Sequence, residues 1–185
     1  MLKKNFIILF ALTLSASVSF AQKFYTKTGK VNFYSKAPLE EIEAKNKTAL
    51  AVLDSKSGAV QFAVQMKGFE FQKQLMQQHF NENYVESNKY PQAEFKGTIT
   101  NNIDIKYSKN GTYTAKVKGK LTIHGVTKDV ESIGTIKING GKIDALSTFN
   151  VLISDYNIKI PAIVKDKVSD NIKITVDCDL EPLKG

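Results

Sequence analysis

Two histidines and one cysteine are the residues of this 185-residue chain whose types best suit metal binding or nucleophilic chemistry. A single cysteine excludes an intramolecular disulfide and a cysteine-based zinc cluster, and two histidines are too few for a multi-histidine centre. The sequence also contains no G-x-S-x-G, Walker A, G-x-G-x-x-G or H-E-x-x-H pattern. Asp and Glu are scattered along polar faces. We therefore predict no catalytic residue, no metal and no cofactor.

Each of the three residues has a structural interpretation. His79 falls in a predicted helix, where a partly buried imidazole would donate its ring N–H to a carbonyl. His124 precedes Gly125 in a predicted turn, and histidine is enriched among non-glycine residues with positive φ. Cys178 lies on the apolar face of a predicted strand, so we expect an inert buried thiol.

The positive charge of the chain is carried entirely by lysine. The sequence has 26 basic residues, all lysine, against 18 acidic residues, for a net charge of +8. The absence of arginine argues against bidentate recognition of phosphates or bases, so we expect no nucleic-acid partner. Lys116, Lys118 and Lys120 follow one face of a strand, which predicts a solvated outer surface. The alternative is a weak, transient attraction to anionic lipid.

The first 21 residues have the pattern of a secretory signal peptide. Lys3 and Lys4 precede an uncharged apolar stretch over 6–20, and small residues stand at Ser19 and Ala21. The alternative, a membrane anchor, normally needs about 20 apolar residues. We expect cleavage after Ala21, a periplasmic or secreted protein, and one domain over 22–185.

The sequence pattern of the remaining chain predicts antiparallel strands. Period-two alternation is strongest over 112–123, 143–153 and 172–180, and weaker strands are predicted at 24–36, 42–54, 59–66, 93–106 and 126–138. Short turns separate them, as at Asn110-Gly111 and His124-Gly125. The pattern predicts an all-β protein whose antiparallel sheet closes into a barrel of about eight strands. A two-sheet sandwich remains the alternative.

Two segments break the alternation. Gln72 to Tyr84 has apolar residues at helical spacing and predicts one short helix of about three turns. Ser154 to Asp170 has no periodicity and predicts a long connection before the last strand.

Three separated motifs resemble those of the YceI-like family. The first runs from His79-Phe80-Asn81-Glu82 through Lys89-Tyr90-Pro91 to Phe95-Lys96-Gly97. The second is Leu121-Thr122-Ile123-His124-Gly125-Val126-Thr127-Lys128, and the third is Asp155-Tyr156-Asn157-Ile158. Their order and spacing also match over about residues 60–182. The N-terminal strand differs, because this chain has Lys23-Phe24-Tyr25 and no tryptophan.

The resemblance implies an extended, lipocalin-like antiparallel β-barrel with the helix near its mouth. It also implies a non-enzymatic envelope protein that binds a long apolar lipid in the barrel, such as a polyisoprenoid, an isoprenoid quinone or a fatty-acid derivative. Carriage, storage and a stress-related role are all open, and so is a homodimer. The rival hypotheses are a protein that acts through a protein partner and an enzyme that acts on a lipid head group.

The apolar faces then supply the candidate ligand-binding residues. Those of the tunnel and its mouth are Phe69, Phe71, Leu75, Met76, Phe80, Phe95, Tyr113, Val117, Leu121, Phe149, Val151, Tyr156, Ile172, Ile174 and Val176. His79, Tyr84 and Asp155 are the candidates for polar contacts with a head group. The same apolar residues would instead fill a barrel that holds no ligand, since a barrel of eight strands can be closed by its own side chains.

Overall fold

Long antiparallel strands form wherever the sequence alternates with period two. The structure, a computed structural model, describes residues 22–183. The predicted signal peptide, 1–21, lies outside the described residues. The strands and the helix are β1 (Lys23–Lys36), β2 (Glu41–Asp54), β3 (Ala59–Gln65), β4 (Glu70–Phe71), α1 (Gln74–His79), β5 (Gln92–Ile99), β6 (Gly111–Ile123), β7 (Val126–Asn139), β8 (Lys142–Leu152) and β9 (Asn171–Pro182).

Eight of the strands close into a barrel. Their order is β1-β9-β8-β7-β6-β5-β3-β2, and antiparallel pairing of β1 with β2 completes the circle. The short strand β4 adds to the free part of the edge of β2, with Ala44 opposite Phe71. The predicted all-β barrel of about eight strands with one short helix is therefore confirmed, and the sandwich alternative is wrong. Closure satisfies the strand edges that an open sheet would expose.

One predicted strand is shorter than expected. The strand predicted over 93–106 ends at Ile99, and a 3-10 turn follows at Asn102–Asp104. The Asn101 side chain takes the place of a ladder rung, because its Nδ2 donates to Thr114 O at 3.0 Å and its Oδ1 accepts from Lys116 N at 2.8 Å. Local side-chain hydrogen bonds of this kind compete with regular backbone pairing.

The two segments that break the alternation in the sequence lie together at one end of the barrel. The predicted helix begins at Gln74, and the chain continues after His79 as a π-helical turn, Phe80–Tyr84. The predicted long connection contains two 3-10 turns, Ile153–Tyr156 and Ala162–Val164. Among the described residues, no helix is both long and apolar enough to cross a bilayer.

The barrel core differs between its two ends. At the end where β1 begins, Phe24, Ile105, Ile138 and Leu180 belong to one closely packed buried cluster. A second cluster, around Tyr156, lies at the other end, where the helix and the long connection are. We call the first end the floor and the second end the mouth. At the floor, the segment between β5 and β6 contributes Ile105 and Tyr107 to the closely packed cluster, whereas at the mouth the irregular segments border the interior.

One seam of the barrel is incompletely paired. The ladder between β7 and β8 joins Gly134–Asn139 to Lys142–Ser147. On the mouth side of Gly134, the described residues of β7 pair with β6 alone, while those of β8 after Ser147 pair with β9 alone. The two strands therefore diverge toward the mouth.

Candidate functional site

The barrel encloses an apolar cavity of about 360 Å³. Its lining extends from Ile99 and Leu180 near the floor to Met76 and His79 on the helix. Every strand from β1 to β9 contributes to it. Side chains alternate between the two faces of a strand, so the period-two apolar faces of the sequence become the wall of one internal space.

Most of the predicted site residues line this cavity. They are Phe69, Phe71, Met76, Phe80, Phe95, Val117, Leu121, Phe149, Val151, Ile172, Ile174 and Val176, together with the head-group candidates His79 and Tyr84. The structure thus brings residues from opposite ends of the chain to one surface. Whether they bind a ligand stays a prediction.

Leu75 and Tyr113 do not line the cavity. Leu75 is 61% exposed, because Met76 on α1 and Phe80 in the π-helical turn that follows take the inward face. Tyr113 lies near the start of β6, where its ring packs on the floor cluster and its hydroxyl donates to Lys109 O at 3.1 Å. Leu75 therefore lies outside the mouth, and Tyr113 lies beyond the floor.

Tyr156 and Asp155 are also placed away from the cavity. Tyr156 is fully buried in the mouth cluster, and this burial raises the pKa of its hydroxyl to about 12. Asp155, one residue earlier in the same 3-10 turn, is exposed to solvent. The turn directs the aromatic ring into the core and the carboxylate outward, so Asp155 does not join the other two head-group candidates.

An aromatic cluster forms one side of the mouth. Phe33 on β1 packs against Phe69, Phe71 and Phe80, and the rings in contact have centroids between 5.1 and 5.7 Å apart. Sequence reasoning missed Phe33. The signal was available, because Val31, Phe33 and Ser35 share one face of β1 by alternation.

Phe95 occupies its position because two glycines leave room for it. Gly97 and Gly119 face each other across β5 and β6. A Cβ added to Gly97 would lie 2.5 Å from Lys118 O, and one added to Gly119 would lie 2.7 Å from Phe95 Cζ. The aromatic ring covers the bare backbone of the pair, which gives these glycines a packing role in the cavity wall.

The rim of the mouth carries several of the polar groups of the cavity. Ser35 is buried, and its Oγ accepts a hydrogen bond from Ser169 N at 2.9 Å. Glu40 forms an ion pair with Lys73 at 3.2 Å. His79 and Lys167 are exposed lining residues, whereas the sequence predicted a partly buried His79. Burial raises the pKa of the Tyr84 hydroxyl, which stays protonated and able to donate.

His124 joins three segments just outside the cavity. Its Nε2 lies 2.7 Å from Glu86 Oε2, and its Nδ1 lies 3.1 Å from Tyr156 O. Its ring also contacts the Tyr90 ring edge-on, at 4.6 Å between centroids. The predicted positive φ is confirmed at 52°. We call His124, Glu86, Tyr90 and Tyr156 the mouth clasp.

Comparison with known proteins identifies the family. The model of the YceI-like domain matches residues 12–180. The chain belongs to the YceI-like family. This membership confirms the resemblance seen in the three motifs, and those motifs supply all four residues of the mouth clasp. A search of curated proteins found no match.

Solved structures with the same fold include proteins from three bacteria. One is a polyisoprenoid binding domain from Saccharophagus degradans implicated in plant cell wall breakdown. It has a TM-score of 0.76 and 12% identity, and the alignment covers 88% of this chain and 99% of that domain. BcnA of Burkholderia cenocepacia has a TM-score of 0.65 and 22% identity, with coverages of 82% and 94%. The YceI protein of Campylobacter jejuni has a TM-score of 0.54 and 20% identity, with coverages of 75% and 81%. Identities this low support the fold alone.

Within the described part of the chain, the site offers no arrangement for a metal ion. Over residues 22–183, no three His, Cys, Asp or Glu side chains are grouped so that they could hold one. What the described residues provide is a mainly apolar interior with several polar groups at the rim and a serine pair, Ser132 and Ser147, on the wall.

Proposed function

We propose that this protein is a non-enzymatic lipid-binding protein that holds one long apolar chain inside its barrel, for carriage or storage. The observation that carries the proposal is the apolar cavity of about 360 Å³. Ligand pockets usually measure about 300–1,000 Å³ and combine an apolar lining with a few polar groups that orient the ligand. The polyisoprenoid binding domain from Saccharophagus degradans shares this fold, which supports a lipid of the same type. Isoprenoid quinones and fatty-acid derivatives have chains of the same kind.

The cavity matches a hydrocarbon chain rather than a polar ligand. Ser132 and Ser147 are polar groups on the inner wall, and their hydroxyls lie 3.3 Å apart as mutual partners. The remaining inward side chains between the floor and the rim are mainly aliphatic or aromatic. At the rim, His79, Tyr84 and Lys167 can donate hydrogen bonds to a head group. The ligand therefore enters tail first, with its head group at the mouth.

The energetics favour reversible loading. Burial of a CH₂ group contributes about 0.8 kcal/mol relative to water. A long chain leaves a membrane rather than water, however, so its transfer between two apolar environments is close to balanced. Contacts of the head group at the rim can then decide whether the protein is loaded.

Export of the protein is part of the proposal. The charge and hydropathy pattern of residues 1–21 supports cleavage after Ala21. In the barrel, Gln22 O accepts a hydrogen bond from Ser55 Oγ at 2.8 Å, so Gln22 belongs to the folded domain. The intact mass of protein recovered from the cell envelope should correspond to a chain that begins at Gln22. A mass that includes residues 1–21 would contradict cleavage.

Native mass spectrometry of protein purified from its own envelope tests lipid binding. We expect a stoichiometric mass excess that solvent extraction removes, with an isoprenoid, quinone or acyl lipid in the extract. A bare mass that stays bare after incubation with membrane lipids would contradict the proposal.

Substitutions in the wall locate the ligand. Leu121→Lys and Val176→Lys place a charge in the cavity and should abolish the mass excess. Ile133→Lys is the matched control, because Ile133 is 68% exposed on the outside of the barrel. Ala145→Phe fills part of the cavity without adding charge. This variant keeps the test decisive if the lysine variants do not fold. Lipid retained by folded Leu121→Lys and by Ala145→Phe would show that the ligand lies elsewhere.

A further inference from the structure

Three large apolar side chains project into solvent around the mouth. Leu39 is 72% exposed, Leu75 is 61% exposed and Ile163 is 91% exposed. They come from three separate segments, namely the loop between β1 and β2, the start of α1, and the 3-10 turn Ala162–Val164. Each of these side chains is exposed to water, so none of them stabilises the barrel through hydrophobic burial.

The three segments are tied to one another. Leu39 N donates to Asp166 O at 2.9 Å, which joins the β1–β2 loop to the long connection. Lys73 Nζ lies 3.2 Å from Glu40 Oε1, which joins the start of α1 to the same loop. The exposed side chains therefore lie on adjacent segments of one surface.

The same segments border the opening of the cavity. Glu40, Met76 and Val164 line the cavity, and each is next in sequence to one of the three exposed apolar residues. Each segment thus has one residue directed into the barrel and its neighbour directed into solvent. The exposed apolar surface is continuous with the entrance that the ligand uses.

Unpaired lysines lie on the same connection as Ile163. Lys159, Lys165 and Lys167 lie on the long connection, and within residues 22–183 none of them forms an ion pair. The acidic residues of the same connection are Asp155, Asp166 and Asp170. By contrast, Lys118 and Lys120 on β6 are paired with Glu131 and Asp129, at 2.8 and 3.0 Å. The three lysines of the connection are therefore available to a partner, whereas Lys118 and Lys120 are already paired.

We infer that this mouth surface, formed by Leu39, Leu75, Ile163 and the three unpaired lysines, docks on an anionic lipid bilayer. Lysines attract the negative head groups, and exposed leucine and isoleucine side chains insert at the boundary between head groups and acyl chains. The inference deepens the proposed function, because a docked mouth lets a lipid pass between bilayer and barrel without crossing water. Leu75 then has a role at the membrane rather than inside the tunnel.

A single introduced tryptophan tests the geometry, since the chain has none of its own. Ile163→Trp places it on the mouth surface. Ile103→Trp is the matched control, because Ile103 is 83% exposed in the 3-10 turn at the floor. Vesicles of phosphatidylethanolamine and phosphatidylglycerol should shift the emission of Ile163→Trp to shorter wavelength and leave that of Ile103→Trp unchanged. Equal shifts, no shift at either site, or a shift at Ile103→Trp alone would overturn the inference.

Charge variants test the electrostatic part by co-sedimentation with the same vesicles. Replacing Lys159, Lys165 and Lys167 with Gln should weaken binding by about tenfold or more. The matched control replaces Lys109, Lys116 and Lys137, which lie toward the floor, and should bind as the unaltered protein does. Equal losses in the two triple variants would overturn the inference. So would an Ile163→Trp shift that rises with protein concentration without vesicles, because a second copy of the chain would then cover the surface.

The docking test is independent of the cargo test. If the unaltered protein carries extractable lipid but does not sediment with anionic vesicles, docking is wrong and lipid binding stands. If it sediments but remains bare after incubation with membrane lipids, the proposed function is wrong and docking stands.

Discussion

At the scale of single residues, the mouth clasp shows how the family motifs are used. The imidazole of His124 contacts Glu86 from the first motif and the Tyr156 carbonyl from the third. Gly125 follows at φ +75°, and a Cβ there would lie 2.6 Å from Tyr90 Cε1. None of the four clasp residues lines the cavity. The motifs therefore act here by fixing the hairpin and the long connection that border the mouth.

Removing the clasp imidazole should lower stability without emptying the barrel. His124→Ala loses two hydrogen-bonding contacts and places alanine at positive φ, so we expect the free energy of unfolding to fall by about 1–3 kcal/mol. His124→Asn tolerates positive φ and should lose less. Urea denaturation gives the stability, and native mass spectrometry gives the lipid content. Full stability of His124→Ala would show that the clasp has no structural role.

Burial of Cys178 predicts a fall in stability at alkaline pH. Cys178 is fully buried, and burial raises the pKa of its thiol to about 12. The unfolded thiol loses its proton from about pH 9, so between about pH 9 and 12 the folded state binds more protons than the unfolded state. The free energy of unfolding should therefore decrease as the pH rises through this range.

Cys178→Ala separates the thiol from other alkaline groups. Burial also raises the pKa of Tyr107 and of Tyr156 to about 12, so part of the alkaline loss should remain in the variant. Denaturation curves at several pH values should show a shallower pH dependence for Cys178→Ala than for the unaltered protein. Equal slopes, or rapid labelling of the native thiol at neutral pH, would contradict the buried environment.

Which residues share a face could be predicted from the sequence, but their depth in the barrel could not. Alternation placed Val117, Leu121 and Tyr113 on one face of β6, and the structure agrees. Only the register of the eight strands decides that Tyr113 lies beyond the floor. Likewise, helical spacing grouped Leu75 with Met76, and only the docking of α1 decides which of the two faces inward.

At the scale of elements, the incompletely paired seam between β7 and β8 predicts a pattern of hydrogen exchange. Residues 126–133 have ladder partners on β6 alone, whereas 134–139 have partners on both sides. We expect about half of the amides over 126–133 to exchange quickly and those over 134–139 to be protected, because exchange reports local opening. Mass spectrometry of peptides from β7 measures both. Equal protection along β7 would show that the seam is closed in solution.

The length of an element governed how well it could be predicted. Strands with long alternating runs, such as β6 and β9, begin and end within two residues of their expected limits. β4 was missed because two residues carry no measurable period. β5 was overextended because the polar side chain of Asn101 imitates a backbone rung that sequence patterns do not report.

At the scale of the whole molecule, the barrel has one closed end and one open end. The floor cluster packs Phe24 and Ile105 across the interior, while the mouth has exposed lining residues such as His79 and Lys167. Composition and periodicity could not distinguish an open barrel from a filled one, because the same inward residues serve both. The difference arises from packing, in the volume that the side chains leave unfilled.

Removal of the proposed lipid should therefore destabilise the whole molecule. A ligand that binds only the folded state adds RT ln(1 + [L]/Kd), which is about 2.7 kcal/mol at one hundred times Kd. For a domain of this size we expect delipidation to lower Tm by on the order of 5–10 °C. Calorimetry of extracted and reloaded protein measures this shift.

The Ala145→Phe variant tests whether this shift in Tm comes from lipid bound inside the barrel. In Ala145→Phe the added ring occupies space that the lipid would use, so extraction should change its Tm little. Ile133→Lys leaves the interior unaltered and should show the full shift, because Ile133 lies on the outer face. If Ala145→Phe loses as much Tm on extraction as the unaltered protein, the stabilising lipid is bound outside the cavity. If Ala145→Phe alone loses the shift, the space between floor and mouth is where the lipid contributes its binding energy to the fold.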